Sequence, residues 1–327
     1  MTILVTGVAG FIGYHVAERL LQGGRRVVGC DNINDYYDTR LKEARLQRLA
    51  AHEGFTFHRV NLADHSAMAE VFARHGQDIE VIVHLAAQAG VRYSLVNPYA
   101  YIESNITAQV VLLEGARRLT KLRHFVYASS SSVYGGNTKI PFAVEDPVTR
   151  PISLYAATKR ADELFGYAYA HLFQIPLTGL RFFSVYGPWG RPDMAAYIFS
   201  DAILSGKTIQ LYNHGQMKRD FTYIDDIVNG VTAVIDHVPQ ASNGEPAHRV
   251  YNLGNSRVEV LADFVAILER LLGRKAVTEG VPMQLGDVPE SSADITASAR
   301  DFGFQPKVSI TEGLEHFVRW YRDYHKV

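Results

Sequence analysis

The strongest constraint on the fold is a succession of short apolar runs, each followed by a longer stretch of helical periodicity. The runs are ILVT (3–6), RVVGCD (26–31), FTFHRV (55–60), VIVHLA (81–86), HFVYAS (124–129) and LTGLRFF (177–183). Helical patterns fill 11–22, 41–51, 66–75, about 98–119 and 153–173 between them. Runs rich in β-branched and apolar residues, without sustained alternation, predict strands covered on both faces. Strands that alternate with helices predict an α/β protein with a doubly wound parallel sheet. After residue 183 the pattern shortens. A turn-rich GPWGRP (187–192) is followed by predicted elements at 195–205, 208–212, 224–236, 250–254, 259–271 and 311–325. No internal repeat or low-complexity linker separates the two halves.

Composition narrows the function classes. The formal net charge of the 327 residues is -1 and no basic block occurs, so nucleic acid is not an expected partner. The lone Cys30 cannot form an internal disulfide, which fits a reducing compartment. TILVT (2–6) enters a strand pattern without a charged segment and a cleavable apolar one, and no apolar run reaches the ~20 residues of a membrane span. The expectation is a soluble, cytoplasmic protein with no membrane contact. The 13 His do not pair with Cys or acidic residues at metal-ligand spacing, so no metal site is predicted.

The first chemical motif is TGVAGFIG, which places Gly7, Gly10 and Gly13 after the first strand and at the start of the first helix. Gly7 allows the tight turn, Gly10 lets backbone approach a pyrophosphate at the helix N-terminus, and Gly13 allows close helix–sheet packing. The plain alternative is an ordinary strand–helix turn. Asp31 ends the second strand, where a carboxylate accepts from adenosine ribose hydroxyls; Asn32 follows rather than an Arg suited to a 2′-phosphate. The cofactor expected is therefore NAD. Residues 1–183 read as a Rossmann-type NAD-binding domain and 184–327 as a smaller mixed α/β substrate lobe, with some segments re-joining the first domain.

The second motif is Tyr155-x-x-x-Lys159 on a predicted helix, where residues four apart share a face. A Lys ammonium beside a phenol favours the phenolate, a base for a substrate hydroxyl. Upstream, YASSSSVYGG carries Ser129, Ser130, Ser131 and Ser132 at the end of a buried strand. α/β sheets place ligands at such carboxyl ends. The alternative is that serines satisfy backbone groups in a strand-to-loop turn, the reading preferred for Ser129.

Together these motifs resemble the extended short-chain dehydrogenase/reductase family over nearly the whole chain. That resemblance implies an NAD-binding Rossmann domain with a nucleotide sugar held between it and the smaller lobe. It makes Ser130, four positions before Tyr134, the partner of the catalytic Tyr155 and Lys159. It also implies cofactor contacts from Phe11, Ile12, Asn61 (or Asp64), Leu62, Leu85, Ala86 and Ala87. Dehydratases of this family carry an Asp-Glu pair where this chain has serines, so the resemblance points to 4-epimerisation.

The stretches RFFSVYGPWGRPDMA (181–195), DNINDYYDTRLKEARL (31–46) and HLAAQAGVRYS (84–94) resemble those of UDP-glucuronate 4-epimerases. Such enzymes interconvert UDP-glucuronate and UDP-galacturonate by oxidation at C4 with bound NAD, rotation of the 4-keto sugar and re-reduction on the opposite face. Arg191 suits a sugar carboxylate, which a guanidinium grips bidentately; the alternative is a loop residue paired with Asp193 or solvated. Ser131, Ser132 and Ser184 are expected at the same carboxylate and Arg219 at the UDP diphosphate. The family implies a homodimer built on helices 98–119 and 153–173; the alternative is that both faces pack internally. Two other functions stay open, a UDP-glucuronate decarboxylase and a non-catalytic NAD-binding scaffold.

Overall fold

The computed structural model describes residues 1–327. The first half alternates strand and helix: β1 Thr2–Thr6, α1 Phe11–Gln22, β2 Arg26–Asp31, α2 Thr39–Ala50, β3 Phe55–Arg59, α3 His65–His75 and β4 Ile79–His84. Short helices α4 Tyr93–Val96 and α5 Pro98–Tyr101 lead through a π-helical stretch, Ile102–Thr107, into α6 Ala108–Ala116. β5 His124–Ser130, α7 Leu154–Phe173 and β6 Leu177–Phe182 follow. The chain continues as β7 Ser184–Tyr186, α8 Ala195–Ser205, β8 Thr208–Tyr212, β9 Lys218–Arg219, β10 Phe221–Tyr223 and α9 Ile224–Asp236. It ends with β11 His248–Leu253, β12 Glu259–Val260, α10 Leu261–Leu272, β13 Val277–Val281, α11 Thr296–Phe302 and α12 Ile310–His325.

Seven strands form one parallel sheet in the order β11-β6-β5-β4-β1-β2-β3. Every residue of β1 and β6 is buried, as their unbroken apolar runs require. The order reverses between β1 and β4, which opens a crevice at their carboxyl ends. One apolar core joins Ile3, Val5, Val81 and Val126 to Val228, Val231, Phe264 and Phe317 from the C-terminal elements. A second core covers the opposite face with Leu4, Ile82, Phe125, Leu112 and Met68.

Two expectations need correction. The helix read as 98–119 is not regular: its start carries the π-helical stretch, and it ends at Ala116. A pattern of period 3.6 cannot reveal a one-residue widening. β13 was not foreseen, because VTEGV is polar and largely exposed; it forms by pairing in parallel with β8. Side-chain caps mark several of the other helix starts. Asp38, Asp64, Ser153 and Ser309 accept backbone N–H bonds at the starts of α2, α3, α7 and α12.

Candidate active site

The glycine turn lies at the switch point between β1 and β4. Gly7 has φ +74°, and a Cβ there would stand 2.7 Å from the Ala86 backbone nitrogen. A Cβ on Gly13 would stand 2.0 Å from the Gly7 carbonyl oxygen. Only glycine lets α1 press onto the turn and the turn onto the end of β4. Gly10 stands at the N-cap of α1 and offers no side-chain cap, which leaves the first N–H groups of the helix for a ligand. At the end of β2, Asp31 accepts from Ala9 N at 3.1 Å and Ile33 N at 2.8 Å, tying the two strand ends together. Burial pushes the Asp31 carboxyl up, against the pull of the Ile33 N–H and the Lys42 charge. A cradle without Cβ atoms, an uncapped helix start and a carboxylate beside it fit the diphosphate and ribose of a dinucleotide.

The serine strand end and the Tyr-Lys helix face this crevice from the other side. Ser130 ends β5, and its Oγ accepts from Ser132 N at 3.2 Å, capping the turn Ser131–Tyr134. Ser129 does not satisfy a backbone group as expected. Its hydroxyl donates to Glu163 of α7 at 2.6 Å, because β5 and α7 pack face to face. Lys159 donates to Ala128 O at 3.0 Å and to Asp162 Oδ2 at 2.8 Å. Tyr101 lies edge-on to Tyr155 with ring centroids 6.0 Å apart. From the π-helical stretch, Asn105 donates to Gln88 O and Thr158 Oγ1 at 3.1 and 2.9 Å, fastening the segment after β4 to α7. His84, at the end of β4, is held neutral by burial, which lowers it to about 3, with the Lys159 charge acting in the same direction.

These elements enclose a single cavity of about 360 Å³. Gly7, Gly10, Phe11, Ile12, Gly13, Asp31, Asn32, Asn61, Leu62, Leu85, Ala86 and Ala87 line one end. Ser130, Ser131, Ser132, Tyr155, Lys159, Ser184 and Arg191 line the other. Two expected residues lie elsewhere. Arg219 is not on the cavity wall and pairs with Asp287 at 2.7 Å, since β9 and the segment before Pro289 run side by side. Asp64 caps α3, which leaves Asn61 as the lining residue. Arg191 is bonded to Asp193 at 3.1 and 3.0 Å, and Asp193 accepts from Tyr36 at 3.1 Å. Tyr36, Tyr37, Lys42, Gln88 and Met194 also line the cavity and were not foreseen. Only the Tyr36-Tyr37 pair in a polar loop gave a sequence signal. No group of three or more His, Cys, Asp or Glu side chains is arranged to hold a metal ion. No helix is long and apolar enough to cross a membrane.

A glycine turn at the switch point of a seven-stranded parallel sheet, facing a Tyr-Lys helix, defines a nucleotide-binding protein of the doubly wound class. Residues 3–254 match the model of the NAD dependent epimerase/dehydratase family, and the chain belongs to that family. It is 46% identical to UDP-glucuronate 4-epimerase 2 of Arabidopsis thaliana, over 100% of this chain and 77% of the relative. It also resembles the crystal structure of UDP-glucuronic acid 4-epimerase from Bacillus cereus in complex with UDP-glucuronic acid and NAD. That likeness has a TM-score of 0.90 and 33% identity, covering 99% of this chain and 100% of the other. UDP-glucose 4-epimerase from Thermotoga maritima, solved with UDP-glucose, aligns with a TM-score of 0.87 and 30% identity over 99% and 100% of the two chains. The fold is thus shared by enzymes of charged and neutral sugars, and the choice between them rests on the cavity wall.

Proposed function

We propose that this chain interconverts UDP-glucuronate and UDP-galacturonate by inversion at sugar C4. The single observation that carries the reading is one cavity lined at one end by the glycine turn and at the other by Tyr155, Lys159, Ser130, Ser131, Ser132, Ser184 and Arg191. Bound NAD supplies a reversible hydride acceptor for C4, held by Gly7, Gly10, Gly13, Asp31 and their neighbours. Tyr155 Oη takes the C4 hydroxyl proton and returns it after the 4-keto sugar has turned over. Ser130 holds the C4 oxygen beside Tyr155. Lys159, oriented by Ala128 O and Asp162, sets an ammonium one helical turn from Tyr155.

A 4-keto uronate is a β-keto acid and loses carbon dioxide when its carboxylate bond aligns with the carbonyl π system. Ser131, Ser132, Ser184 and Arg191 hold the carboxylate out of that alignment. Arg191 exchanges its Asp193 partner for the substrate carboxylate, and Arg219 must leave its Asp287 partner, off the cavity wall, to meet the UDP diphosphate. The functional division is an NAD-binding domain over 1–183 and a sugar-binding lobe over 184–327. Exposed apolar side chains on α4, α5 and the π-helical stretch (Leu95, Val96, Tyr99, Ile102) and on α7, which packs against them (Leu164, Tyr167, Leu172), support pairing of these helices with a second copy in a cytoplasmic homodimer.

The test is proton NMR of UDP-glucuronate incubated with the protein and NAD. The expected result is a galacto-configured H4 signal with the carboxylate retained, abolished in Tyr155→Phe. Pentose signals with release of carbon dioxide would replace this reading with a decarboxylase. An unchanged spectrum would move the test to neutral UDP-hexoses, and failure to turn those over would leave a non-catalytic scaffold.

A further inference from the structure

Arg45 of α2 is fully buried, and no carboxylate pairs with it. Its Nη1 donates to Ala9 O and to Tyr37 Oη, both at 2.7 Å. Its Nη2 donates to Trp189 O at 2.6 Å and Gly190 O at 3.4 Å, while Nε has no partner. A buried cation held only by neutral oxygens is expensive, and an apolar side chain of similar volume would fill the site at less expense. What the guanidinium does, and an apolar group could not, is bridge two loops far apart in sequence. Ala9 belongs to the glycine turn; Trp189 and Gly190 immediately precede Arg191.

The second loop needs such a support. Trp189 has φ +60°, a left-handed conformation rare for a bulky residue and kept only where the surroundings hold it. Pro188 O is bonded to His15 Nε2 at 2.9 Å, and the Arg48 guanidinium lies 5.5 Å over the Trp189 ring. The loop bearing Arg191 is therefore moulded onto α1 and α2, with Arg45 as its buried anchor.

We infer that Arg45 is a positioning residue for carboxylate recognition: its fork fixes the backbone before Arg191 to the dinucleotide turn, and so sets where the Arg191 guanidinium can meet a uronate. This rests on the function proposed above. Arg45 does not touch the sugar. It makes the cofactor end and the carboxylate end of the cavity one rigid unit, so its loss relaxes discrimination between a carboxylate and a hydroxymethyl group at sugar C5.

The test compares binding of UDP-glucuronate and UDP-glucose to the NAD-loaded protein by calorimetry, together with the product distribution by NMR. Arg45→Lys keeps the charge but cannot fork between the loops. It is expected to lower the UDP-glucuronate to UDP-glucose affinity ratio by on the order of tenfold, the effect of one displaced charged contact. The share of decarboxylated product should rise with it. Tyr37→Phe, which removes one partner of the same nitrogen, should move the ratio in the same direction by about twofold and guards against misfolding of Arg45→Lys. A merely structural anchor would lower thermal stability and weaken both ligands equally. An unchanged ratio and product share in whichever variants fold would overturn the inference. Wild-type protein that fails to favour UDP-glucuronate would instead defeat the proposed function.

Discussion

Lys159 Nζ stands 2.8 Å from Asp162 Oδ2, and both side chains are almost fully buried. The second oxygen of Asp162 has no partner. Burial raises the Asp162 carboxyl to about 6, even against the Lys159 charge and hydrogen bond. The pair thus holds the lysine in place at a net cost in desolvation.

Replacing Asp162 separates these effects. Asp162→Leu should destabilise the protein by about 3–5 kcal/mol, because it strands a buried ammonium. Asp162→Asn keeps a hydrogen-bond acceptor and should cost about 1–2 kcal/mol. The sign of the pH effect follows from the raised value. Between about pH 4 and 6 the folded state keeps a proton on Asp162 that the unfolded state releases, so this one group's contribution to stability falls as pH rises through that window. Urea unfolding across this range should show the falling component in wild type and not in Asp162→Asn.

Glu163, the next residue, is fully satisfied. It accepts from Arg181 Nε at 2.8 Å and Nη2 at 3.0 Å, from Ser129 at 2.6 Å and from Arg160 at 2.8 Å. Burial alone would raise its carboxyl, but the Arg181 hydrogen bond and charge hold it below the usual range. Arg181→Met should therefore cost about 3–5 kcal/mol in urea unfolding. It should also lower kcat, since Ser129 adjoins Ser130 at the cavity.

Gly13→Ala tests the cradle. Its new Cβ, 2.0 Å from the Gly7 oxygen, must push α1 off the turn. Overpacking of this kind costs about 1–3 kcal/mol, so NAD affinity measured by calorimetry should fall roughly 10- to 100-fold.

Acid should unfold the protein through its buried histidines. Burial is the leading cause that lowers His15, His124 and His248 to about 4 and His84 to about 3. The unfolded chain takes up protons at these positions below about pH 6.5, so stability falls as pH drops from there toward 4. Each histidine contributes up to about 1.4 kcal/mol per pH unit, which outweighs the opposite slope of the single Asp162. The melting temperature should drop between pH 7 and 5. A flat profile would show that these rings stay solvated.

Local chemistry made much of the architecture legible in the chain. Unbroken apolar runs such as ILVT and HFVYAS could only be strands covered on both faces, and the helices between them left a parallel doubly wound sheet as the solution. The glycine turn and the i, i+4 placement of Tyr155 and Lys159 are likewise short-range features, readable because their spacing is a backbone period. Tertiary structure alone decided the partners. Ser129 and Arg181 meet on Glu163 because β5 and β6 share one face beneath α7. Arg191 finds Asp193 and Tyr36, whereas Arg219 lies off the cavity wall on Asp287. Arg45, an unremarkable member of a basic helix in sequence, becomes a buried bridge from the glycine turn to Trp189, 144 residues further along the chain from Arg45. Periodicity records which side of an element faces inward. It does not record which other element arrives there, because that depends on how distant surfaces pack and on the buried charges they must satisfy together.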